Sequence, residues 1–249
     1  LTGPPPTDFP PGPALPGSPA SPRGETGRDE GLLSGLSGVL RGLSAVFWGL
    51  PLALLAFARH FLGFWTTGYD LVLPPAAAGL LLFGLFRMSR FQRQERIWQR
   101  ALLTAQMFAL LVTGLAPFLY LWSRMPGIDL FSRAVLVLVG ASLAFLVALT
   151  RALARLAAML PDDTARADAA LFHGLSTYVV AVLGAVGVTL YLRLHPIPLS
   201  DFLSIPRQPL GAGRQALLLL LVLVPVAMAM AVTWKLKEVV LAVVTGRHR

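Results

Sequence analysis

Apolar residues fall along this chain in six stretches, and the polar segments between them hold nearly all of the charge. The stretches cover 44–64, 69–86, 101–122, 134–150, 174–192 and 216–234. A helix needs about 20 mainly apolar residues to cross ~30 Å of hydrocarbon. The pattern therefore predicts an all-α, polytopic membrane helix bundle with six transmembrane helices. The third and sixth stretches fit that length most clearly. Pro51 interrupts the first and Pro74-Pro75 the second, and Arg59 would have to extend its head group toward the interface. If these two stretches enter and leave on one side as a re-entrant pair, four spans remain. Either count is even, which keeps the N- and C-termini on the same side.

The flanks differ from the bundle. Nine of the 20 prolines lie in 1–22, and Glu25, Asp29 and Glu30 follow. Residues 1–30 cannot bury enough apolar area to offset their ordering entropy, and they read as a disordered Pro-rich tail without the apolar core of a secretory signal. In 31–43, Leu32, Leu33, Leu36, Val39, Leu40 and Leu43 recur at helical spacing opposite Ser34, Ser37 and Arg41. This predicts an interfacial amphipathic helix ahead of a bundle over 44–236. Residues 237–249 form a short basic tail.

Composition sharpens the class. Hydrophobic residues make up 55% of the 249 and charged residues only 13%, about half the charged share of soluble domains, with mean hydropathy +0.69. A soluble enzyme or a free nucleic-acid-binding domain is excluded, because too little polar surface exists to cover a core. The net charge of +9 comes from 19 Arg and two Lys placed between apolar runs rather than in one patch. Taking alternate connections, fifteen basic residues fall on the side of both termini and six on the other. Basic loops stay cytoplasmic, so both termini are expected in the cytoplasm. Arg in place of Lys, beside abundant Ala, Gly and Pro, suggests a GC-rich coding sequence and a bacterial cytoplasmic (inner) membrane.

Candidate chemistry is sparse. There is no Cys, and His60, His173, His195 and His248 form no pair at metal-ligand spacing. No Gly-rich phosphate loop or nucleophile elbow is present. No catalytic, cofactor-binding or metal residue is therefore assigned, and no cofactor is expected. Asp162, Asp163, Arg166 and Asp168 evoke the acidic centres of metal-dependent lipid transferases. Tyr178 and Val182 stand where further acids would be needed. Asp162 or Asp163 instead reads as the cap of the next helix, and His173 as a hydrogen-bonded residue between helices. Apart from Arg59, every Asp, Glu, Lys and Arg falls outside the spans or at their ends, which disfavours an ion-coupled carrier.

Two sets of contact residues stand out. Arg87, Arg90, Arg93, Arg96 and Arg100 would share one side of a helix over 87–100, with Trp98 on the apolar side. Such a cationic segment attracts anionic headgroups or an acidic partner. Small residues recur one turn apart at Gly140, Ala144, Ala148 and Ala152, and at Thr177, Ala181, Ala185 and Thr189. These stripes predict close helix packing, or self-association through one of them. The expected role is structural or accessory, acting on membrane lipids, a membrane protein partner or a second copy, without nucleic acid. A small-molecule permease or transporter subunit is the alternative, followed by a lipid-modifying enzyme.

Overall fold

The computed structural model describes residues 23–62, 71–91, 95–125, 127–160, 162–193 and 212–245. Among them the regular elements are helices: α1 (Arg23–Leu62), α2 (Leu73–Met88), α3 (Arg96–Arg124), α4 (Asp129–Ala158), α5 (Asp163–Arg193) and α6 (Ala212–Val244). Four contain segments long and apolar enough to cross a bilayer, namely Gly35–His60, Arg96–Arg124, Asp129–Ala158 and Asp163–Thr189. The chain is thus an all-α, multi-pass membrane protein.

The early part departs from the sequence expectation. Residues 31–43 are not a separate interfacial helix. They lie within α1, which runs 40 residues from Arg23, through the last part of the expected tail and past Pro51. Val39 and Leu43 are fully buried against the bundle, so tertiary packing covers the later part of that apolar stripe. Residues 1–22 lie outside the described ones. In α2 the prolines do not interrupt a span; they occupy the first helical positions, where a missing N–H costs nothing. The 16 residues of α2 rise about 24 Å, short of the hydrocarbon thickness.

The segment 87–100 is likewise not one helix. α2 ends at Met88, a turn follows, and α3 starts at Arg96. The chain has to reverse there, because α2 and α3 pack antiparallel. Gln106 donates to the Leu85 carbonyl at 3.1 Å, and Gln99 donates to those of Ser89 and Phe91, each at 3.3 Å.

Successive helices pack side by side, and α6 closes the ring by lying between α5 and α1 while also touching α4. The core runs through this ring, with α4 supplying Phe145, Leu149, Leu153 and Leu156, and α1 supplying Val39, Leu43, Val46 and Leu50. The tightest approach joins α1 to α2, where Gly42 and Gly84 set the two backbones against each other. The outside is apolar as well: Trp48, Phe83, Phe86, Met107, Leu110, Val137 and Tyr178 are each more than half exposed. Large continuous apolar surfaces of this kind are rare on water-soluble monomers and are what lipid covers.

Candidate functional site

Antiparallel packing gathers charge by connection. One end of the ring holds the first part of α1, the end of α2, the start of α3, the end of α4, the start of α5 and the later part of α6. There stand Arg41, Arg87, Arg90, Arg96, Arg100, Arg151, Arg155, Arg166, Lys235 and Lys237. The opposite end, among the described residues, holds Arg59, Arg124, Arg133, Arg193 and Arg214.

Three aspartates at the basic end are engaged locally. Asp162 caps α5: its Oδ1 accepts from the backbone N–H of Thr164 at 2.9 Å and of Ala165 at 3.2 Å, and from the Thr164 hydroxyl at 2.7 Å. These bonds, led by the Thr164 hydroxyl, hold the exposed carboxyl below its ordinary pKa. Asp163 pairs with Arg166 at 3.5 Å, and Arg166 also donates to the Ala158 carbonyl, which ends α4. Asp168 forms a half-exposed ion pair with Lys235, tying α5 to α6. His173 lies at the α4–α5 contact. The Thr150 hydroxyl donates to Val147 O at 3.0 Å, so its lone pair accepts from the His173 Nδ1–H at 3.2 Å.

A cleft of 510 Å³ opens between α3 and α4 at this same end. Ile97, Arg100, Ala101, Thr104 and Phe108 form one wall; Ala144, Val147, Ala148, Arg151 and Arg155 form the other. Each set follows a single helix face, with the same succession of steps of three, one, three and four residues. The alanines are what leave the gap, since a larger side chain at 144 or 148 would close it. Arg100, Arg151 and Arg155 line the cleft toward the basic end, and no carboxylate among the described residues lies within ion-pair distance of them. The depth below them is hydrocarbon, apart from Thr104, whose hydroxyl is bonded to Arg100 O at 2.9 Å.

The residues singled out from sequence separate accordingly. Arg90, Arg96 and Arg100 are exposed at the basic end, and Arg87 lies half-buried with its guanidinium over the Phe83 ring. Arg93 lies outside the described residues. Trp98 does not share that surface: it is fully buried in the core. Of the small residues, Ala144 and Ala148 line the cleft. Gly140 has nothing within 4 Å of an added Cβ, and Thr177, Ala181 and Ala185 are exposed on α5. Close backbone approach falls to Gly42 and Gly84 instead.

Arg151 and Arg155 stand one turn apart on α4, and nothing in the sequence joins them to Arg100. Their shared spacing was the available signal; the pairing of α3 with α4 supplied the rest. No three His, Asp or Glu side chains among the described residues group closely enough to hold a metal ion. Comparison with protein-family models, with curated proteins and with solved structures gave no match. The arrangement at the basic end is therefore what bears on function. It is a set of cations gathered at one end of the helix ring.

Proposed function

We propose that this chain is a six-span protein of a bacterial cytoplasmic membrane, with both termini in the cytoplasm. In this reading its role is structural or accessory, holding anionic lipid and a membrane protein partner at the basic end of the bundle. The short α2 crosses by drawing its flanking residues and the bilayer together, as short hydrophobic segments do. The helix α6 supplies the sixth span.

The observation that carries the reading is the segregation of Arg and Lys to one end of the ring, from connections far apart in sequence. Basic residues mark the cytoplasmic side. Each one near an anionic leaflet contributes about 1 kcal/mol of attraction.

The absence of Cys makes single-cysteine labelling clean. Gly127→Cys, in the α3–α4 turn, is expected to react with an impermeant maleimide on intact cells. Ala158→Cys, at the end of α4, should react only after lysis; the reverse pattern overturns the orientation. Purification of the full chain from native membranes should enrich anionic over zwitterionic lipid relative to the bulk membrane. Co-purified lipid of bulk composition overturns the proposed role.

A further inference from the structure

We propose that the cleft between α3 and α4 is a binding site for one anionic phospholipid, its phosphate among Arg100, Arg151 and Arg155 and an acyl chain lying in the groove below. The inference deepens the accessory-role reading and rests on it for the choice of leaflet. Three features of the cleft carry it.

The first is charge. Three guanidiniums from two helices line one cleft that no carboxylate lines, while Asp162, Asp163 and Asp168 serve the α5 cap, Arg166 and Lys235. Like charges that converge in this way repel until an anion enters. Guanidinium is the group best matched to phosphate oxygens, because its planar fork donates two parallel hydrogen bonds.

The second is the apolar depth. From Arg100 to Phe108 the α3 wall descends about 12 Å, and from Arg155 to Ala144 the α4 wall descends roughly 16 Å. One leaflet contributes about 15 Å of hydrocarbon. A free phosphate would use the mouth and leave these walls uncovered; an acyl chain covers both.

The third is size. A volume of 510 Å³ lies within the range of pockets for small ligands, and small residues at 144 and 148 keep it open. An acidic amphipathic helix would also satisfy the charge, but a single groove between two adjacent helices is too narrow for a helix about 10 Å across.

The test uses the full chain in neutral detergent, with native mass spectrometry counting bound phosphatidylglycerol against phosphatidylcholine. The wild type is expected to retain one phosphatidylglycerol preferentially. The triple variant Arg100→Gln, Arg151→Gln, Arg155→Gln should weaken that first site on the order of 100-fold. A control triple, Arg41→Gln, Arg90→Gln, Arg96→Gln, removes the same charge from exposed positions at the same end and should leave the first site nearly unchanged. Equal weakening by both triples would overturn the cleft site while leaving a generally lipid-attracting basic end. Loss of any preference for phosphatidylglycerol in the wild type would overturn both. Ala144→Leu fills the groove without touching charge and should also expel the lipid; it decides the matter if the arginine triple does not fold, and unchanged binding in it overturns the proposal. Displacement of the lipid by millimolar inorganic phosphate would instead identify a free-anion site and overturn it.

Discussion

Gly42 of α1 and Gly84 of α2 meet backbone to backbone. A Cβ built on Gly42 would stand 2.7 Å from the Gly84 carbonyl oxygen, and one built on Gly84 would stand 2.8 Å from that of Gly42. Between helices in lipid there is little hydrophobic drive to associate, so close dispersion contact must supply the attraction. Neither glycine leaves room for a methyl group unless the helices separate. Gly84→Ala is therefore expected to lower stability by about 1–3 kcal/mol, the usual cost of overpacking. Gly79→Ala, on the same helix with nothing within 4 Å of the added Cβ, should be neutral or slightly stabilising. Thermal unfolding in detergent measures both, and equal losses would remove the special role of the Gly42–Gly84 contact.

Trp98 and Ala181 form a second contrast. Trp98 is fully buried, and Trp98→Ala opens a large cavity beside Met88 and Leu102, costing about 3–5 kcal/mol. Ala181 is exposed on α5, so Ala181→Leu should change stability by less than about 0.5 kcal/mol in the detergent-solubilised chain. Strong destabilisation by Ala181→Leu would show that the exposed face of α5 is covered by another helix.

The Asp168–Lys235 pair joins α5 to α6 through residues 67 positions apart in sequence. Both side chains are about half exposed, at 48% and 39%, so solvent screens much of their attraction. A double-mutant cycle with Asp168→Asn and Lys235→Gln should give a coupling of about 0.2–1 kcal/mol. Raising the salt concentration should shrink it further. A coupling well above this range would mean that the pair is dry in the membrane-embedded chain.

Asp162 gives a pH dependence whose sign follows from its hydrogen bonds. The carboxylate form accepts from Thr164 and Ala165, so the folded pKa lies below the unfolded one. A depressed carboxyl pKa contributes stability that is present above the unfolded value, about 3.9, and is lost as pH falls through the folded value. Asp162→Ala should therefore melt below the wild type at neutral pH, and the gap should close on acidification below about pH 3.9. A gap independent of pH would place the effect in backbone propensity rather than in the cap.

Much of the architecture was legible before any coordinates. The stretches 101–122, 134–150, 174–192 and 216–234 all fall within α3 to α6, because apolar runs of that length have no stable aqueous alternative. The cap at Asp162 was also readable, since an acid after a helix end and before a new helical run has few other uses. Positions near prolines were harder to read. Pro74 and Pro75 could interrupt a helix or begin one, and only the observed start of α2 at Leu73 resolves this.

What the sequence determined alone is the all-α membrane class and the gathering of basic residues into alternate connections. These follow from hydropathy and charge counted along one chain, which need no knowledge of neighbours. The tertiary structure decided that Trp98 turns inward, that Gly42 rather than Gly140 makes the close backbone contact, and that Arg100 shares a cleft with Arg151 and Arg155. The physical reason is that each depends on the rotation and depth of one helix against another. The repeat of small or basic residues on a single helix is compatible with several partners and registers. Packing side chains around the whole ring leaves one.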